Sequence, residues 1–267
     1  MTLQKSVQAR LVQYAKEHRV DPNLILTRYA AERFLYRLSK SRHAERFVLK
    51  GAMLLVAWLG DMIRPTRVSF DSSSINVAPI REEDAYGGKR VTIAGHLGPA
   101  RLKVQADIGI GDAAYPDPQW LDYPSLLDLP QPHLRAYRPE TSIAEKLHAM
   151  VTLGARNSRM RDFFDIRMLA EREAFVAREL VAAIRTTFER RATPILETPL
   201  PLTPAFAQLE GKRGQWNAFL RKNGLAHADF DEVIREVSNF LLPVASALAQ
   251  GRQFDRKWPP GGPWVEQ

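Results

Sequence analysis

Residues 47–55 read Phe47-Val48-Leu49-Lys50-Gly51-Ala52-Met53-Leu54-Leu55. The apolar run breaks at Lys50-Gly51 and resumes with helical spacing, which predicts a short strand, a tight turn and a buried helix. Arg64-Pro65-Thr66-Arg67 follows that helix, and then Val68-Ser69-Phe70-Asp71.

Upstream, residues 3–18 and 22–41 read as helices, the second opened by Asp21 as N-cap and Pro22 at the first helical position. Downstream, strand-like segments at 74–80, 88–94 and 101–110 are punctuated by Gly87-Gly88 and Gly95-His96-Leu97-Gly98. Residues 112–139 hold six prolines and read as an extended surface connection. Helical patterns then occupy 140–154, 159–172, 174–192, 204–222 and 228–250. The tail after Gly251, with Pro259-Pro260-Gly261-Gly262, reads as loosely ordered. The chain is thus expected to be α+β, a small mixed sheet flanked by helices with a helical C-terminal half. Its expected segments are basic N-terminal helices at 1–46, a core sheet at 47–115, and a Pro-rich connection with helices at 116–267.

The 267 residues, 45% hydrophobic, suffice for a sizeable core. No Cys is present, which excludes disulfides, thiolate metal sites and cysteine nucleophiles. No apolar run approaches a membrane span and no signal-peptide pattern opens the chain, so a soluble cytoplasmic protein is expected. Residues 1–60 carry eleven Lys or Arg against four acids, within a net charge of +8. Such asymmetry suits a polyanion such as RNA, and it equally suits a solvated helix surface. The RNA-facing candidates are Arg28, Arg33, Arg37, Lys40, Arg42 and Arg46.

Two stretches carry candidate chemistry. In Arg101-Leu102-Lys103-Val104-Gln105-Ala106-Asp107-Ile108-Gly109-Ile110 the apolar and polar residues alternate strictly. Asp107 therefore projects from mid-strand on a polar face, with Gly109 and Gly111 next along it. A carboxylate there can hold a metal while the glycines admit a phosphate, or it is an ordinary solvent-facing strand residue. The second stretch runs Arg138-Pro139-Glu140-Thr141-Ser142-Ile143-Ala144-Glu145-Lys146-Leu147-His148-Ala149 and continues at Asn157-Ser158-Arg159-Met160-Arg161-Asp162-Phe163-Phe164-Asp165. Taken alone, Glu145, Lys146, Asp162 and Asp165 could form ion pairs on helix surfaces. The six histidines show no ligand spacing, and neither a P-loop nor a Gly-x-Ser-x-Gly elbow occurs.

Together, the Lys-Gly turn, Arg-Pro-Thr-Arg and the stretch at 137–165 resemble the AbiEii/AbiGii family of toxin nucleotidyltransferases, with Arg161 replacing a Lys. The resemblance implies metal-dependent transfer of a nucleotide from an NTP, with Mg²⁺ as the divalent ion and the tRNA 3′ end as acceptor. It also implies a cognate antitoxin in a toxin–antitoxin or phage-defence pair. Lys50 and Gly51 would lie beneath the nucleotide, Asp107 would hold metal, Lys146 would contact phosphate, and Asp162 and Asp165 would shape the site. In the family an Asp-x-Asp pair follows Arg-Pro-Thr-Arg; here those places hold Val68 and Phe70. Asp71 is the nearby candidate for metal, but strand parity assigns it to the opposite face unless a bulge intervenes. Residues 75–88 again resemble the family, across a gap shortened from a few dozen residues to a few. An absent segment is favoured over recruitment of Asp71. A member that keeps the fold and binds nucleotide, RNA or antitoxin without turnover is therefore the alternative to an active transferase.

Overall fold

The computed structural model describes residues 3–17, 22–59, 69–80, 88–97, 100–109, 114–127 and 129–266. Among them the chain divides into two compact units. One comprises residues 1–112 with 119–136, and the other comprises 113–118 with 137–267. The Asp21 cap and Arg64-Pro65-Thr66-Arg67-Val68 lie outside the described residues.

In the first unit, α1 (Leu3–Glu17) and α2 (Pro22–Ser39) pack on a three-stranded antiparallel sheet. The sheet contains β1 (Ser69–Ile80), β2 (Gly88–Leu97) and β3 (Ala100–Gly109), in that order. The helix spacing dictates the contact: Val7, Leu11, Tyr14 and Ala15 of α1 form one buried stripe, as do Ile25, Leu26, Tyr29 and Ala30 of α2. Leu102 and Val104 of β3 meet them, while Arg101, Lys103, Gln105 and Asp107 are exposed, as the alternation predicts. Near residue 49 the expected strand shrinks to one parallel bridge, Leu49 with Ala136. Gly51 follows with φ +80, a backbone conformation that side chains disfavour, and α3 (Ala52–Leu59) begins there.

The Pro-rich connection is a packed element, contrary to the sequence expectation. It forms a hairpin of β4 (Gln119–Asp122) and β5 (His133–Ala136), and it buries Tyr123, Leu126, Leu127, Leu134 and Ala136. The cause lies in α2. Buried Glu32 accepts from the Leu126 backbone N–H and from Ser125 Oγ, each at 2.6 Å. It also pairs with buried Arg33, which donates to the Pro130 carbonyl at 3.3 Å. The two units therefore differ from the three segments drawn from sequence, because 119–136 belongs with the N-terminal helices.

The second unit is helical: α4 (Pro139–Leu153), α5 (Met160–Arg172), α6 (Ala177–Arg190), α7 (Pro204–Gln208), α8 (Lys212–Lys222) and α9 (Phe230–Ala249). Pro139 takes the first helical position of α4, and Asp229 caps α9 by accepting from the Asp231 and Glu232 N–H groups. The core is aromatic: Phe163 stacks on Phe206 at 5.5 Å and meets Phe230 edge-on, and Phe230 stacks on Trp216. The tail after Gly251 is not loose. β6 (Phe175–Val176), β7 (Arg256–Trp258) and β8 (Val265–Glu266) form a small antiparallel sheet. Trp258 and Trp264 are buried there, each indole N–H donating to a carbonyl, of Ala170 at 2.7 Å and Phe240 at 2.8 Å. The α+β class is as expected, while the sheets are antiparallel rather than one mixed sheet.

Candidate active site

Lys146 leaves α4 toward α5, where Asp162 and Asp165 stand three residues apart on one helix face. The Lys146 ammonium donates to Asp162 Oδ1 at 3.0 Å and to Asp165 Oδ2 at 2.7 Å. Both carboxylates are almost fully buried, and the Lys146 side chain is 16% exposed. Two of its three donors are thus committed, and one remains for an anion. Arg159 Nε lies 2.7 Å from Asp162, and Arg161 Nε lies 3.5 Å from Asp165, both arginines half exposed. Three cations, Lys146, Arg159 and Arg161, thus surround two carboxylates. Burial pushes the Asp165 carboxyl upward against the opposing pull of Lys146.

Supporting contacts fix this pair of helices. Asn157 is fully buried and its side-chain carbonyl accepts from the Arg159 N–H at 2.9 Å, forming the turn into α5. Buried Lys212 of α8 donates to the Asn157 backbone carbonyl at 2.7 Å. Nothing in the sequence flags Lys212, since it lies 55 residues from its partner. On the other side of α4, Arg191 donates to Glu145 at 3.3 Å and approaches His148 Nδ1 at 3.1 Å, while His148 Nε2 lies 2.9 Å from Thr193 Oγ1. Burial and then Arg191 push the His148 imidazole down to about 4.

The first unit holds Asp107. Its carboxylate is gripped by Arg90 through two contacts of 2.8 Å, and Gln105 donates to it at 3.2 Å. Both partners of that ion pair are nearly half exposed. The register pairs Asp71 with Ala94 and Ala94 with Lys103, which places Asp71 on the polar face shared by Asp107. Phe70 and Asp71 thus take opposite faces, as strand parity expects, but it is Asp71 that shares the face of Asp107, while Phe70 faces the core, edge-on to Phe34 at 6.2 Å and beneath the Arg37 guanidinium. Asp71 nonetheless lies two strands across and four residues along from Asp107, roughly 16 Å by strand spacing. Its Oδ1 is engaged by the Ser73 N–H at 2.9 Å and by Ser73 Oγ at 2.6 Å, and these hydrogen bonds hold its carboxyl below the usual range. Among the described residues, no group of three His, Asp or Glu is placed to hold a metal ion. Asp107 with its guanidinium partner does not fit a metal clamp by itself.

The RNA-facing candidates separate. Arg33 is 3% exposed and committed to Glu32, Ser125 and Pro130, so it is a core residue and not part of a track. Arg28 is half-buried beside Tyr123, and Arg37 donates to the Arg33 carbonyl at 3.0 Å. Lys40, Arg42 and Arg46 are exposed. Lys50 is half-buried.

An α+β protein with a lysine clamped by two buried carboxylates and flanked by arginines has the makings of a phosphate-handling enzyme. The particular family follows from comparison: residues 68–236, more than half the chain, match the model of the nucleotidyl transferase AbiEii toxin of type IV toxin–antitoxin systems, and the chain belongs to that family. The matched range contains Asp107, Lys146, Asp162 and Asp165 but begins after Lys50-Gly51. No curated protein matches the chain. A similar solved structure is MenT4, a nucleotidyltransferase toxin from Mycobacterium tuberculosis H37Rv, 17% identical. The similarity covers 95% of this chain and 100% of that one, with a TM-score of 0.48. No described helix is long and apolar enough to cross a membrane.

Proposed function

We propose that this chain binds nucleotide triphosphate through Lys146, with Asp162 and Asp165 orienting the ammonium, and that it turns over slowly or not at all. The observation that supports this reading is the contrast between Lys146, paired with two buried carboxylates, and Asp107, which is paired with Arg90 and which among the described residues belongs to no group of three His, Asp or Glu placed to hold a metal ion. Asp107 is occupied by Arg90, Phe70 is packed into a core, and Asp71 lies far along the sheet. Nucleotidyl transfer needs divalent metal, Mg²⁺ in the family, to screen the phosphates and activate the acceptor hydroxyl. With the carboxylates described, that role is unsupported. The protein is then a nucleotide- and RNA-binding partner of an antitoxin, with the tRNA 3′ end as the acceptor class toward which any residual transfer is directed.

Two assays in one preparation test this. NTP binding, followed by thermal shift or calorimetry, should be saturable and should weaken strongly in Lys146→Gln. Incubation with Mg²⁺, labelled NTPs and total tRNA should give little labelling beside a version with an Asp-x-Asp segment restored after Arg67. Robust labelling by the unaltered chain would refute the reading and restore an active transferase. Absence of NTP binding would remove Lys146 from the site.

A further inference from the structure

The β4–β5 hairpin presents an aromatic platform that the nucleotide site does not use. On its inner face Leu134 and Ala136 are buried; on its outer face stand Trp120, Asp122, His133 and Arg135. Trp120 is 48% exposed, unusual for the largest side chain, and its ring lies parallel to the His133 imidazole, centroids 5.0 Å apart and planes 4° off. Asp122 holds His133 Nδ1 at 2.7 Å, so the imidazole is fixed and the indole is supported flat. The register sets Arg135 directly opposite Trp120. Arg135 in turn donates to the Glu45 carbonyl at 3.1 Å, bringing the turn that carries exposed Arg42 and Arg46 alongside the strand.

We propose that this face is a docking surface for an unpaired segment of RNA, one base stacking on Trp120 while Arg135, Arg42 and Arg46 contact the backbone. A half-exposed ring with one guanidinium opposite it and two more on the adjoining turn suits single-stranded nucleic acid, since every base has a π-face and every linkage a negative charge. A duplex offers no free base face, so the surface selects unpaired RNA. Of the six basic residues the sequence offered for RNA, this face keeps Arg42 and Arg46, whereas Arg33 belongs to the core. The inference rests on the reading that RNA is the acceptor class.

The test is fluorescence anisotropy with a labelled short oligouridylate and a blunt RNA duplex of equal length. The expected result is preference for the oligouridylate, with Trp120→Ala weakening its binding roughly 5- to 150-fold, the range of one lost base stack. Trp120→Phe should restore most of the affinity, which a folding defect would not do. The salt slope should stay unchanged in Trp120→Ala and fall by roughly 0.7 per contact when Arg42 and Arg46 become Gln. Oligouridylate binding that is indifferent to Trp120→Ala would overturn this proposal while leaving RNA as the partner. Failure of the unaltered chain to bind either RNA would overturn both, and NTP binding at Lys146 is measured separately. Loss of binding to the purified cognate antitoxin in Trp120→Ala, with RNA binding unaltered, would assign the face to a protein instead.

Discussion

Two ion-pair systems of this chain use the same residue chemistry in opposite ways. In the second unit, Lys146, Asp162 and Asp165 sit inside a helical core where water is scarce. In the first, Asp107 and Arg90 face each other across an open sheet, both nearly half exposed. Geometry alone would rank them alike, since each has contacts near 2.8 Å. Burial separates them. Solvent screens the sheet pair, whereas the helical cluster gains from pairing and suffers if any member is left alone. The first arrangement can be lost with little structural consequence, while the second is tied to the fold.

The largest expected effect follows from emptying the buried cluster. Lys146→Ala should lower stability by about 3–5 kcal/mol, because two buried carboxylates lose their common partner. The structure makes Lys146 the common partner of two buried carboxylates, so its removal does not spare the fold. Asp165 also fixes the pH dependence. Burial raises its carboxyl in the folded chain, so its protonation favours folding, and that contribution is present at low pH and lost as pH rises through the raised value. Deleting Lys146 raises the carboxyl further, and the stability deficit of Lys146→Ala should shrink on acidification. A deficit that is small, or constant with pH in chemical denaturation, would break the comparison.

A middle-sized effect is expected at His148, on the far side of α4. Its imidazole is depressed from 6.5 to about 4, burial first and Arg191 second, so it is neutral in the folded chain at neutral pH. Between those values the unfolded chain takes up a proton that the folded chain refuses. Stability should therefore fall as pH drops from about 6.5 toward 4, by about 1–3 kcal/mol. His148→Gln should flatten that portion of the profile. A profile identical in both proteins would show that His148 is more solvated than its buried position indicates.

The smallest effect belongs to the sheet. Arg90→Gln should leave stability almost unchanged, and what little is lost should disappear in high salt. Its functional consequence is sharper, since Asp107 would be released from its guanidinium partner. If Arg90→Gln gains Mg²⁺-dependent NTP binding, measured by calorimetry with and without the ion, the guanidinium is what blocks metal at Asp107. An unchanged response to Mg²⁺ would show that Asp107 is insufficient even without its guanidinium partner.

Local periodicity made much of the molecule legible in the sequence. The alternation from Arg101 to Gly109 placed Asp107 on the exposed face, and helical spacing put Lys146, Asp162 and Asp165 on adjoining helices. The glycine at 51 marked a turn that does adopt a positive φ. These features depend on residues a few positions apart, so a one-dimensional pattern suffices to show them. Contacts between distant residues could not be read that way. Arg33 looked like its neighbours on α2 until Glu32 was seen to bind the Leu126 N–H, 94 residues away. The proline-rich hairpin and the C-terminal tail resembled loose chain because Pro and Gly weaken local order. Each is held by burial that the local sequence does not record: Leu134 and Ala136 in one, Trp258 and Trp264 in the other. The faces of Phe70 and Asp71 were likewise decided by strand register, a property of the pairing rather than of either strand alone.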